Sequence, residues 1–393
     1  MSIGRRSLLL SSFAVASAGV AGGLLWASNA RVLSADLDTM MMVEHISPGT
    51  NAMGSLRFTG RAGPLGRYPS DNGVVEPRSL FPNPADPFGI NDRLALGEEG
   101  YALEVQDRGR GQVAPGPNDE PWALNMIPFG VALDGVILDP SGPWYDGGVP
   151  DPNNAFDNKC SGWEYEVMQP TVSRIVGVPD AIAGHVQPSG MFHYHGYPRM
   201  LTALLRKRHG KTGALLVGFS ADGYPVTDYR ATQTNGDIES FFFSGYILRS
   251  GKRRALDLTN PDFTPSGLYD GLFVQDYAFD PEAKSDLIRR TLISGGDYHG
   301  LTAAKLNAGK ARFSLLDERN GIQADATYRV SDYPAKVWHY VLTPDWPYIP
   351  RFFAFEPAGS FADIIPKSRR NRLYTNCPAD LAGIRVGKGR TPY

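Results

Sequence analysis

Residues 131–138 read VALDGVIL. Two apolar halves flank Asp134-Gly135, a dipeptide that tolerates the positive φ angles of a tight hairpin turn. The stretch therefore predicts two short antiparallel strands. The same grammar recurs downstream, where short apolar or aromatic runs between turn residues occupy 163–168, 191–197, 214–219, 239–248, 272–279, 337–342 and 352–355. Runs of this length, rich in β-branched and aromatic residues, are strand candidates. Helical patterning is confined to 199–207, 281–291 and 361–373. The expected fold is mainly β: an antiparallel sandwich or barrel-like domain over residues 121–360, with long loops and a few short helices.

Composition sets outer bounds. The 393-residue chain is 42% hydrophobic and 20% charged, with 44 Gly and 31 Pro. That supports a core and excludes collagen, coiled coil and wholesale disorder. Two cysteines exclude a disulfide scaffold and a zinc site built of four thiolates. A net charge of −2 supplies no basic field, so nucleic acid is not an expected partner. Residues 59–72 and 107–120 are rich in Gly, Pro and charge and read as loops, which makes 31–120 an irregular amino-terminal extension. Residues 361–393 are read as a carboxyl-terminal tail.

The amino terminus carries a targeting pattern. Arg5-Arg6 precede an uncharged stretch from Ser7 to Trp26, and Ser28-Asn29-Ala30 offers a cleavage-like site. Residues 1–30 thus read as a signal peptide, and Gly4-Arg5-Arg6-Ser7-Leu8-Leu9 resembles the twin-arginine type that exports folded proteins. Its removal takes two arginines and no acids, leaving 37 bases against 41 acids and a mildly acidic mature chain. The expected location is periplasmic or secreted, with no membrane span after removal. In an oxidising compartment Cys160 and Cys377 are expected to form a disulfide. Closing so long a loop is worth roughly 4–5 kcal/mol in the loop-entropy model.

Chemistry concentrates on histidine. Of seven histidines, His185, His193 and His195 fall within eleven residues, in GHVQPSGMFHYHGYP. His193 and His195 lie one residue apart in a strand-like run, so strand period places both rings on one face. Phe192 and Tyr194 would then face the core. His185 precedes them across a Gln-Pro-Ser-Gly turn and can return as a third ligand. Imidazole suits copper, zinc, iron and nickel. His339, in another strand-like run, is a possible further ligand. Asp222 and Asp276 are possible ligands, orienters or turn-formers, with the turn reading favoured for Asp222 because Gly223 follows it.

No GxSxG, HExxH, P-loop or dinucleotide fingerprint occurs. At GMFHYHGYP the chain resembles the YHYH-domain proteins, an exported bacterial family named for a Tyr-His-Tyr-His signature. That signature stands here as Phe192-His193-Tyr194-His195. Further blocks look similar and keep the family's order: PFGVALDGVILDP, WEYEVM, GFSADGYPV, FVQDY, LDERNG and YVLTPDWPYIPRFF. The resemblance covers roughly residues 120–355. It implies that His185, His193 and His195 are signature residues, with Asp222, Asp276 and Asn320 in motif positions. Arg319 stands where the family carries a Cys before Asn-Gly.

The leading expectation is an exported metal-binding protein, with copper slightly ahead of zinc. A zinc hydratase or hydrolase is the alternative, because Phe-His-Tyr-His-Gly is similar to a ligand strand of α-carbonic anhydrases, and zinc on three histidines lowers its bound water's pKa to about 7. Tyr197 stands near where that family has Trp. A cupin-like site lacks its acid, since Tyr197, Pro198 and Arg199 occupy the place. A third reading is a non-enzymatic module whose aromatics bind a small molecule or surface glycan.

Overall fold

A computed structural model describes most of residues 100–362, the longest stretches outside it being 146–162, 187–191 and 255–263. Upstream it describes only short backbone strands, among them Ser55–Arg61, paired antiparallel with Gly100–Gln106. Arg5-Arg6, Cys160 and Cys377, and with them the signal peptide and the disulfide, lie outside the described residues, as does the tail beyond Ala362.

Ten strands form one sheet: β1 (Gly130–Ala132), β2 (Ile137–Leu138), β3 (Gly184–Val186), β4 (Phe192–Tyr194), β5 (Gly213–Ser220), β6 (Pro225–Thr232), β7 (Glu239–Phe243), β8 (Ala311–Leu315), β9 (Gly321–Gln323) and β10 (Trp338–Leu342). Their order is β3-β4-β2-β1-β5-β6-β7-β8, with β10 beside β6 and β9 beside β10. The turn expected at Asp134-Gly135 joins β1 to β2, with Val131 opposite Ile137. Gly135 takes φ +86°, and the Asp134 carboxylate accepts from the Val136 N–H at 3.1 Å. A short polar side chain and a residue without Cβ are what this geometry needs.

The strand-rich expectation holds, with one difference in pairing. The β2–β4, β6–β10 and β7–β8 pairs are parallel, so the sheet is mixed. Among the described residues it stays open rather than closing into a barrel. Parallel neighbours need a long connection, and between β7 and β8 that connection includes the helix Pro281–Ile293. Asp280 caps it by accepting from the Ala283 N–H at 2.9 Å, Pro281 opens it, and Ile288 and Leu292 are buried. The helix Arg199–His209 buries Leu201, Leu204 and Leu205, an i, i+3, i+4 stripe. The helix Pro170–Val176 has no counterpart among the sequence expectations, because seven residues are too few to display a period.

Strands on both sides of the sheet are covered. Phe129, Val131, Phe219, Val226, Phe241, Phe243, Tyr340 and Phe353 belong to one core. A second, smaller cluster joins Trp163, Tyr165, Val167, Val172, Val176 and Phe273. Burial of each such side chain contributes about 1.5–3 kcal/mol. This smaller cluster fixes the helix Pro170–Val176 against the edge of the sheet where the histidines stand. No helix among the described residues is long and apolar enough to cross a membrane.

Candidate metal centre

The three histidines meet on the β3–β4 hairpin. His185 is the direct cross-strand partner of His193, and directly opposed residues share a face. His195 follows His193 by one strand period. The three rings have centroids 4.5–4.9 Å apart. His193 Nε2 lies 2.8 Å from His195 Nε2, which lies 3.1 Å from His185 Nε2. Tyr194 points the other way, into the main core, where its hydroxyl donates to Asp134 Oδ2 at 2.8 Å.

The protonation pattern follows from the surroundings. His185 Nδ1 is 2.7 Å from the Val176 carbonyl. A carbonyl only accepts, so Nδ1 carries the proton, and in the neutral ring Nε2 is then the bare nitrogen turned to the other two. Burial pushes the His195 imidazolium well below the usual histidine range, and the neighbouring His193, His185 and Arg351 charges add to this. Its Nδ1 is buried and faces the Pro140 carbonyl without a well-formed hydrogen bond. Lone pairs about 3 Å apart repel unless a proton or a cation lies between them. A group of three imidazole nitrogens, two of its residues buried and one half-buried, is a donor set that late first-row metals take when the rings are neutral.

A second tier of charge surrounds the trio. The parallel β2–β4 register places Ile137 beside His193 and Leu138 beside Tyr194, and the next N–H, of Asp139, donates to the Tyr194 carbonyl at 2.9 Å. Asp139 thus lies beside His195 at the end of β2. Burial pushes its carboxyl up to about 6, against opposing hydrogen bonds from Ser141 and the Arg351 charge. Arg351 is itself held by two acids: Nη1 donates to Glu164 at 3.1 Å and Nη2 to Glu166 at 2.6 Å. Glu166 also accepts from Trp346 Nε1 at 2.6 Å, and Glu164 from the Gly142 N–H at 2.7 Å.

Strand alternation explains this arrangement. In WEYEV, Trp163, Tyr165 and Val167 enter the smaller core while Glu164 and Glu166 turn to Arg351. The same small core holds Val176, whose carbonyl aims His185. Sequence reasoning missed Asp139, Glu164, Glu166 and Arg351. The available signal was two acids alternating with aromatics in a run with no solvent face, and one arginine inside the apolar YIPRFF.

The other sequence candidates do not join the trio. His339 is fully buried, with Nδ1 3.0 Å from Thr227 Oγ1 and Nε2 3.1 Å from the Tyr328 hydroxyl. Asp222 accepts from the hydroxyls of Ser220 (2.5 Å) and Tyr340 (2.8 Å) and from the N–H groups of Ala354 and Phe355. Asp276 is clamped by Arg253, with both contacts at 2.7 Å, and accepts the Gly271 N–H at 3.0 Å. Asn320, at φ +57°, shapes the LDERNG turn and donates to the Pro347 carbonyl at 3.1 Å. All four serve the fold away from the trio, and of their side-chain polar atoms Asn320 Oδ1 is buried without a hydrogen-bond partner.

No curated protein and no solved structure matches the chain. The family model described as "YHYH protein" matches residues 113–290. That span includes the hairpin with all three histidines, WEYEVM, Asp222 and Asp276, and ends before LDERNG and YVLTPDWPYIPRFF. Over residues 113–290 the chain thus matches the YHYH protein family.

Proposed function

We propose that this is an exported metal-binding protein whose ion is held by the Nε2 atoms of His185, His193 and His195, with copper ahead of zinc. The observation that carries this reading is the contact between His185 Nδ1 and the Val176 carbonyl. It fixes one tautomer and aims a bare nitrogen at the two other rings, as a ligating histidine requires. Copper ranks first because divalent affinity for nitrogen donors peaks at Cu2+. Export rests on the Arg5-Arg6 signal, and the twin-arginine route would allow the folded protein to take its metal before translocation.

Elemental analysis of the mature protein from the exported fraction tests this beside a His193→Ala/His195→Ala variant. About one copper or zinc per chain is expected, lost in a variant that stays folded. Metal absent from the wild type, or retained in the variant, overturns the assignment.

A hydrolytic or hydratase reading is favoured by one further feature, Asp139 at the end of the strand neighbouring His195, with its carboxyl raised by burial to about 6. An acid poised near neutrality can exchange protons with a metal-bound water. Under that reading the zinc-loaded protein hydrolyses an activated ester and Asp139→Asn loses the activity while keeping the zinc. Equal rates in both proteins exclude it.

A further inference from the structure

A second site is built where β6 meets the helix Arg199–His209. Between Thr227, opposite Leu216, and Ala231, opposite Ala214, β6 advances four residues while β5 advances two. Residues 228–230 therefore bulge, and bulges re-aim side chains. Asp228 is fully buried; its Oδ1 is hydrogen-bonded, and its Oδ2 has an ion-pair partner but no well-formed hydrogen bond. Oδ1 accepts from the Tyr197 hydroxyl at 2.6 Å and the Tyr229 N–H at 2.8 Å, while Oδ2 pairs with Arg206.

One carboxylate is thus spent on one guanidinium, and a second guanidinium stands beside them. Arg230 lies over the Tyr229 ring at 5.1 Å and has no acid partner among the described residues. Its Nε is buried with no hydrogen-bond partner. Arg206 reaches Asp228 at one end of the bulge, and Arg230 stands two residues further along it over Tyr229; burial first, and then the Arg230 charge, push the Arg206 guanidinium down. Arg199 lies two helical turns before Arg206, on the same helix face, and its charge also reaches Tyr229. Of the further acids whose charge reaches this neighbourhood, Glu239 is paired with Lys305 at 2.8 Å and Asp297 accepts from the Gly300 N–H at 2.6 Å.

Two neighbouring, half-desolvated guanidiniums with a single carboxylate, which is paired to only one of them, are costly without a further counter-charge. We propose that Arg206 and Arg230 form a binding site for a small oxyanion, a phosphate or carboxylate group bridging the two guanidiniums, with Arg199 at its rim. Planar forks suit two-oxygen anions better than a lysine ammonium does. None of these arginines belongs to the histidine trio.

Calorimetric titration of the mature protein with inorganic phosphate, and separately with malonate, at ionic strength matched with sodium chloride, tests the proposal. One equivalent of at least one anion is expected to bind, weakened about tenfold or more in Arg230→Gln and unchanged in His193→Ala/His195→Ala. Phosphate tighter than malonate indicates a phosphate-bearing ligand, and the reverse order a carboxylate. If Arg230→Gln does not fold, Arg230→Lys carries the test, keeping the charge, losing the fork and weakening binding. No binding of either anion, or binding that survives loss of the Arg230 fork, overturns the site. Binding abolished by the histidine variant also overturns it, because the anion would then sit on the metal.

Discussion

His185 stands directly opposite His193 across the β3–β4 ladder, and its Nδ1 is tied to the last residue of the helix Pro170–Val176. The ladder sets which face the ring occupies, and the Val176 carbonyl sets which nitrogen is bare. If this geometry holds a metal, His185→Ala removes a donor rather than an orienting partner. Its affinity loss should therefore exceed the roughly 10–100-fold that follows removal of an outer partner. Competition with a chelator of known affinity measures this, and a smaller loss would place His185 outside the coordination shell.

Asp222 offers a contrast between a ligand and a hub. Its two oxygens collect the Ser220 and Tyr340 hydroxyls and two N–H groups from the segment after Phe353. Removing the carboxylate leaves several buried donors unmet, at about 1–3 kcal/mol each. Asp222→Ala should lower unfolding free energy by about 3 kcal/mol or more. Metal content of the folded fraction should not change. Loss of metal without loss of stability would restore Asp222 as a ligand.

Arg351 joins the tail of the core to the acids beside the trio. Both Glu164 and Glu166 are buried, and Arg351 donates to each. Truncating the arginine leaves two buried carboxylates without their shared cation, a change typically costing about 3–5 kcal/mol. Arg351→Met should show that loss in denaturant unfolding. Combining it with Glu164→Gln and Glu166→Gln should recover most of it, since the stranded charges are then gone. A triple variant no better than the single one would locate the cost in packing around Trp346 and Phe352.

What the sequence discloses here is what is local. The H-x-H spacing reveals a shared face because strand period is a property of three residues, and Asp134-Gly135 reveals its hairpin because a tight turn is a property of four. The return of His185 also follows from a short turn. Pairing direction is not local: an apolar run such as 337–342 looks the same beside a parallel or an antiparallel neighbour, so β10 against β6 was not legible. Nor was the charge around the trio, since Glu166 and Arg351 are 185 residues apart and meet only through tertiary packing. His339 shows the converse limit. A histidine in a strand-like run has the same sequence appearance whether it binds an ion or, as here, closes a hydrogen-bonded pair with Thr227 and Tyr328.

That buried histidine makes stability depend on pH. Burial pushes His339 down to about 4, below its ordinary value near 6.5. The unfolded chain therefore binds a proton between these values that the folded chain refuses. The stabilisation is complete above the unfolded value and is lost as pH falls from about 6.5 toward 4. Linkage for this group alone predicts a loss of about 2 kcal/mol between pH 7 and pH 5. Asp222, whose carboxyl burial raises, acts with the opposite sign and persists in both proteins compared, so it cancels in a difference. Urea unfolding of the wild type and His339→Gln at the two pH values isolates the histidine. The variant should be less stable at pH 7, where it lacks well-formed bonds to Thr227 and Tyr328, and its stability should fall less by pH 5. Parallel pH dependence in the two proteins would show that His339 is protonated as readily in the folded chain as in the unfolded one.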